Sequence, residues 1–271
     1  MPFFSVTSVS PVCVSVFGLD VYWYGVAYVV SLWLALFYAK RVAGGVLRST
    51  EIGAFQQITS SQVKRYVDSF LPLACIGIII GGRLGHVLFF DMSYYFHDLR
   101  KILFIRDGGM SFHGGLLGII AVAAWFCRKE QIQLISYFDL ISMVAPIGLG
   151  IGRLANFVNS ELYGVPTNLP WGVLFHGTLE PRHPTQIYEA LTEGVLTLSI
   201  LALFYCCRKR RQPGDISVLF LLCYGTSRFL IDFLKDSRHY CGLTMGQWLS
   251  LIMVFGGILL SYFLRKSAKS A

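Results

Sequence analysis

Apolar residues run in blocks of membrane-spanning length near 20–39, 69–90, 112–127, 137–158, 187–207, 216–234 and 245–264. An α-helix needs about 20 predominantly apolar residues to cross the hydrocarbon core of a bilayer. The pattern therefore predicts an all-α, polytopic membrane protein with about seven transmembrane helices. The third block is the shortest and the fourth the most polar. No internal repeat and no low-complexity tract interrupts the series. We expect a single transmembrane domain over residues 1–271, with a small extracytoplasmic loop region around 159–186.

Composition agrees: 55% of residues are hydrophobic and 14% charged, where a soluble domain carries about 25% charge. The mean hydropathy is +0.59. A net charge of +8 could signal nucleic acid, but its distribution says otherwise. Of 23 Lys and Arg, 14 lie in the segments on one side (40–68, 128–136, 208–215, 265–271) and 6 on the other, with Arg83, Arg153 and Arg228 inside spans. The positive-inside rule places the N-terminus outside and the C-terminus in the cytoplasm. The surplus is a topogenic signal and an attraction for anionic headgroups, and no nucleic-acid partner is expected. The seven Cys are scattered, with no CxxC and one adjacent pair, Cys206–Cys207. They read as small apolar fillers rather than disulfides or metal ligands. The first 19 residues lack a basic start, so they do not read as a cleavable signal peptide.

The candidate chemistry lies where polar side chains interrupt this pattern. Residues 152–164, GRLANFVNSELYG, end the fourth span with an arginine, two asparagines, a serine and a glutamate. If this segment stays helical, Arg153, Asn156 and Ser160 share one face. A guanidinium at membrane depth costs roughly 2.5–3.5 kcal/mol on insertion scales, so that face must meet protein, water or a polar ligand. A structural arginine neutralised by a carboxylate is one reading. Gly148 and Gly152 have the spacing of close helix packing. Gly150, Gly152 and Ala155 match a dinucleotide fingerprint, but no strand or βαβ unit surrounds them.

Four further groups stand out. The second span carries Gly81-Gly82-Arg83. His113-Gly114-Gly115 opens the third; a serine-hydrolase reading of it lacks the GxSxG nucleophile. His183-Pro184-Thr185-Gln186-Ile187-Tyr188-Glu189 opens the fifth, with Gln186, Glu189 and Glu193 on one helical face too polar for lipid. In the sixth, Tyr224, Arg228 and Asp232 step by four, so an intrahelical Arg228–Asp232 pair is the simplest structural reading.

The 152–164 stretch closely resembles the signature of the prolipoprotein diacylglyceryl transferases, bacterial membrane enzymes. The matching positions are Gly152, Arg153, Ala155, Asn156, Phe157, Asn159, Glu161 and Gly164. The resemblance extends to Trp23-Tyr24-Gly25, to Gly-Gly-Arg ending in Arg83, and to His113-Gly114-Gly115. It covers the His-Pro-Thr-Gln motif and the Tyr224/Arg228 spacing, and it reaches the entry to the last helix, 242–247. Asp232 and Lys235 stand where the family pattern has Glu and Arg, and Ala155 where Gly is commoner.

The resemblance implies transfer of a diacylglyceryl group from phosphatidylglycerol to the lipobox cysteine thiol of a prolipoprotein signal peptide, releasing glycerol phosphate. It implies Arg153, Arg228 and His113 as catalytic residues. Tyr24, Arg83, Asn156, Asn159, Glu161, Gly164, Gln186, Glu189 and Tyr224 join Arg153 as substrate-binding. The physical requirements fit: a departing phosphate ester needs fixed cations, and arginine donates bidentately while staying charged. The protein substrate supplies the nucleophile, so no catalytic Cys or Ser is required. His113 is either a general base or a hydrogen-bond donor to lipid. We expect no cofactor, no metal, a monomer, and a bacterial inner-membrane location. Two other classes remain open at this point. One is a transporter of an anionic solute using intramembrane arginines. The other is an intramembrane protease using Asp139 and Asp232.

Overall fold

The computed structural model describes every residue except 1–3, 6–9, 17, 49–58, 90, 105–107, 209–210, 238 and 271. The middle of the basic 40–68 segment therefore lies outside the described residues. The chain opens with β1 (Phe4–Ser5) and an antiparallel hairpin of β2 (Val12–Val16) and β3 (Leu19–Tyr22). Helices α1 (Trp23–Arg48), α2 (Ser60–Phe89) and α3 (Met92–His97) follow, then a 3-10 turn at Leu99–Leu103. Next come α4 (Phe112–Glu130), α5 (Leu134–Val158) and β4 (Val173–Leu174). Helix α6 (Thr185–Cys207) has a π-helical stretch at Ala190–Leu196. The chain closes with α7 (Asp215–Ile231), β5 (His239–Tyr240), β6 (Leu243–Thr244) and α8 (Met245–Ser270).

The helical architecture is the one the hydropathy predicts, and the hairpin before α1 is an addition to it. Among the described residues, six helices are long and apolar enough to span a membrane. Helix α4, the shortest predicted span, forms a helix of 19 residues outside that set.

The described residues group into two compact units, Val42–Phe138 and Met1–Arg41 with Asp139–Ala271. In the first, α2 starts on a capping box: Gln62 Oε1 accepts from Thr59 N–H at 2.8 Å, and Gln62 N–H reaches back to Thr59 Oγ1. Helices α2 and α4 meet along Gly77, Gly81 and Gly85 on one side and Gly114 and Gly118 on the other. A Cβ on Gly77 would sit 2.6 Å from Val122 Cγ2, and one on Gly85 2.7 Å from Gly114 Cα. The glycines of the second span thus bring backbones into contact, as small residues do between membrane helices. Tyr66, Phe70, Phe126 and Tyr137 form an aromatic cluster with centroids 4.9–6.3 Å apart.

In the second unit, Asp139 at the start of α5 accepts from Gly214 N–H, Ser217 N–H and Ser217 Oγ–H, each at 2.7 Å. A buried carboxylate thus satisfies the open donors at the start of α7. Asp232 lies beyond the opposite end of the same helix, about 25 Å away at 1.5 Å per residue. The two aspartates cannot face each other, which removes the aspartyl-protease reading. Helices α5 and α6 approach closely at Gly150 and Gly194, where a Cβ on Gly194 would meet Gly150 Cα at 2.8 Å. Gly148 and Gly152 have no such neighbour within 4 Å, so the packing glycine is the one between them. Leu191, Val195, Phe255, Leu259 and Phe263 stay exposed on the outer faces, the arrangement expected of helices solvated by lipid.

Candidate active site

Helix α5 ends in a Schellman motif. Glu161 N–H bonds Asn156 O at 2.9 Å, and Ser160 N–H bonds Phe157 O at 3.1 Å. Ser160 takes the left-handed position with φ 56°, and Leu162 follows at φ 58°. The polar signature therefore does not continue as a helix. Arg153 and Asn156 keep a common face, one turn apart. Ser160 leaves it, and its Oγ accepts from His176 N–H at 3.3 Å.

Arg153 points at α6. Its Nε lies 3.3 Å from Glu189 Oε2 and 3.6 Å from Glu193 Oε2. From α7, Arg228 Nη1 pairs with Glu189 Oε1 and lies 3.5 Å from Glu193 Oε1. Lys235, just past α7, reaches Glu189 Oε1 at 2.7 Å. Both glutamates are wholly buried. Three cations on two carboxylates leave a net positive site, the condition for holding an anion. Burial and the neighbouring Arg228 push the Lys235 ammonium below its ordinary range.

The inner ends of these groups are used and the outer ends are not. Among the described residues, the two terminal amino groups of Arg153 form no hydrogen bond, nor do Nε and Nη2 of Arg228. Tyr224 lies one turn before Arg228 on the same face of α7. Asp232 does not serve as the partner of Arg228. It accepts from Thr244 Oγ1 and lies against Gly246 in the first turn of α8, while its own N–H still closes the helical bond to Arg228 O.

Beside this cluster, Tyr24 in the first turn of α1 donates to Glu161 Oε2 at 2.8 Å, and Asn156 Nδ2 donates to Tyr24 Oη. Gln186 Nε2 holds the Glu161 carbonyl at 2.6 Å. Asn159 Oδ1 and Gln186 Oε1 are buried without a hydrogen-bond partner among the described residues. Gly164 sits where no side chain fits: its Cβ would meet Leu234 O at 2.5 Å and Thr185 Cγ2 at 2.8 Å. The 165–182 loop packs through Phe175 on Phe157 and Tyr163. It is tied to α6 by Trp171 Nε1 donating to Tyr188 Oη at 2.7 Å.

Ten predicted site residues thus fall in one unit, and Arg83 and His113 fall in the other. Arg83 is buried. Its Nε donates to Ile102 O, Nη1 to Gly108 O and Gly109 O, and Nη2 to Lys101 O and Phe104 O, at 2.5–3.1 Å. All five N–H donors are spent on backbone, so here the guanidinium organises a loop. His113 is exposed in the first turn of α4. Two members of the cation cluster were not read as site residues. Glu193 was legible from its place four residues after Glu189 on a shared face. Lys235 follows the span in a polar segment, and its one signal is that it stands where the family pattern has Arg. Among the described residues, no three His, Cys, Asp or Glu side chains gather as a metal site.

Residues 11–263 match the sequence model of a family described as prolipoprotein diacylglyceryl transferase. A protein of Bordetella avium named phosphatidylglycerol--prolipoprotein diacylglyceryl transferase is 38% identical over 261 residues, 92% of each chain. A protein of that name from Brucella anthropi is 40% identical, covering 91% of this chain and 86% of its own. Another, from Bordetella parapertussis, is 37% identical over 92% of this chain and 93% of its own. These matches leave the solute-transporter alternative without support.

Proposed function

The chain belongs to the prolipoprotein diacylglyceryl transferase family, and from that premise we propose that it transfers the diacylglyceryl group of phosphatidylglycerol to the lipobox cysteine thiol of a prolipoprotein. Glycerol phosphate is the leaving group. The observation that carries this reading is the Arg153–Arg228 pair: two guanidiniums from different helices, fixed from behind by Glu189 and Glu193, with donors left over. The lipid phosphate takes those donors, and they stabilise the charge that grows as the C–O bond breaks. Preorganisation by the buried glutamates means little side-chain rearrangement is needed at the moment of reaction.

Asn156, Asn159, Gln186 and Tyr24 hold glycerol hydroxyls, and Tyr224 lines the headgroup site. Glu161 and Gly164 complete the signature turn. Arg83 is carried over from the family pattern as a supporting, substrate-binding residue, and His113 either donates to the lipid or takes the thiol proton. The enzyme works as a monomeric, single transmembrane domain of about seven spans in the bacterial inner membrane. Its N-terminus is outside, and it has no cofactor and no nucleic-acid partner. The test is transfer from acyl-labelled phosphatidylglycerol to a lipobox peptide. Label on the peptide with wild type, absent with Arg153→Ala and with a Cys→Ser peptide, is expected. Equal labelling by wild type and Arg153→Ala would remove the arginine clamp from the reaction.

A further inference from the structure

We propose that Glu161 is the base that accepts the thiol proton, an assignment that rests on the transfer reaction above. The three buried carboxylates at or beside the cation cluster are committed. Glu189 and Glu193 are wholly buried and hold Arg153, Arg228 and Lys235. Asp232 is buried against Thr244 and Gly246. A peptide thiol arriving from outside the fold cannot reach these buried groups, and protonating either glutamate would release the cations.

Glu161 is built differently. Its side chain is exposed. Tyr24 Oη–H fixes Oε2 at 2.8 Å and Asn156 Nδ2 lies 3.5 Å from the same oxygen. Oε1 receives no hydrogen bond among the described residues. One oxygen orients the carboxylate and the other remains available, the arrangement required of a positioned base.

The backbone is pinned as well. Gln186 Nε2 holds the Glu161 carbonyl, Asn156 O holds its N–H, and Ser160 and Leu162 on either side are left-handed. A leucine at positive φ is an unfavourable conformation that persists only where surrounding contacts enforce it, and such residues concentrate at functional sites. The turn places the carboxylate next to the arginine site, because Asn156, which bonds Tyr24 Oη, is one helical turn from Arg153 on α5.

In the step itself, Glu161 Oε1 takes the proton from the cysteine Sγ–H. The sulfur electron pair forms the S–C bond to the diacylglyceryl carbon that carried the phosphate ester. The C–O bond breaks, and its electron pair leaves on glycerol phosphate beside Arg153 and Arg228. Glu161 then returns its proton to water. No oxidant or further reactant is needed.

The experiment is a pH–rate profile in mixed micelles of detergent and phosphatidylglycerol with a lipobox peptide. It compares wild type with Glu161→Gln, Glu161→Ala and His113→Gln. Glu161→Gln is expected to lose about 100-fold or more in kcat at pH 7. It should regain most of that as the pH passes the free thiol's pKa near ~8.5, where the peptide ionises unaided. Its KM for phosphatidylglycerol should stay within about twofold of wild type, a binding change worth no more than about 0.4 kcal/mol. Added formate should raise the rate of Glu161→Ala, a response that a misfolded or loosened site would not give.

A loss by the same factor at every pH, or a raised KM with kcat unchanged, would make Glu161 a binding residue and overturn the proposal. Alkaline recovery in His113→Gln in place of Glu161→Gln would pass the role to His113. A wild type that transfers no label at any pH would overturn the transfer reaction together with the base. A wild type that transfers while Glu161→Gln matches it would overturn the base alone.

Discussion

Glu189 binds Arg228 through one carboxylate oxygen and Arg153 through the other, and it is wholly buried while both arginines keep part of their surface open. This division explains how charged side chains persist at membrane depth without cancelling one another's function. The glutamate offsets the desolvation of the cations. The exposed ends of the guanidiniums remain available for an anion that arrives in the bilayer.

Removing that carboxylate should therefore damage folding as well as activity. Glu189→Ala leaves Arg228 and Lys235 short of a counter-charge, and breaking a buried pair from one side costs about 3–5 kcal/mol. We expect a clearly lowered Tm in detergent and transfer below about 1% of wild type. Glu189→Asp should recover part of the Tm. Thermal unfolding monitored by tryptophan fluorescence checks the first effect and the labelled-lipid assay the second.

Arg153→Lys should fold and fail. An ammonium can pair with Glu189 or Glu193, but it cannot also present a planar pair of donors to a phosphate. The expected outcome is a near-normal Tm with kcat/KM down about 100-fold or more, comparable with losing one preorganised donor elsewhere. A lysine variant with full activity would mean that charge alone suffices.

Gly81→Leu and Gly118→Leu should destabilise the α2–α4 pair, because each added side chain runs into backbone of the opposite helix. Overpacking typically costs about 1–3 kcal/mol. Collision with backbone leaves no rotamer to escape into, so the upper end is expected. Gly148→Ala, with no neighbour within 4 Å, should be neutral. Paired Tm measurements on the variants check the contrast.

His183 offers a pH signature outside the spans. Its Nδ1 lies 3.3 Å from Tyr188 Oη, which also accepts from Trp171, and partial burial lowers its pKa. The unfolded chain therefore binds more protons than the folded one between the lowered pKa and the ordinary value near ~6.5, so stability rises with pH across that window. Below it, His183 carries a charge that its partly buried position disfavours. Tm should fall modestly as pH drops from 7 to 5, and His183→Asn should flatten that slope.

Arg83→Gln should loosen the loop it holds. Five backbone carbonyls between Lys101 and Gly109 lose their charged donor. Hydrogen exchange and limited proteolysis should rise over residues 98–110 while the α5–α6 site keeps its protection.

The helices were legible in the sequence because hydrocarbon imposes one requirement, an apolar helix long enough to cross it, and hydropathy reads that requirement directly. The same logic exposed Arg153, Arg228, Gln186 and Glu189, since polar groups at membrane depth need a reason to be there. What the sequence by itself could not determine was which partner each would take. Local spacing offered Asp232 to Arg228, and the packing of the entry to α8 gives it Thr244 instead. Helical periodicity placed Ser160 beside Arg153, and the Schellman turn moved it to the loop. The GxxxG spacing indicated Gly148 and Gly152, whereas the helix crossing uses Gly150 against Gly194. The Asp232–Thr244 and Gly150–Gly194 contacts join different elements, and Ser160 is turned out by its own backbone and met by the 165–182 loop. Periodicity fixes only which residues share a face of one helix; the tertiary structure decides what that face meets.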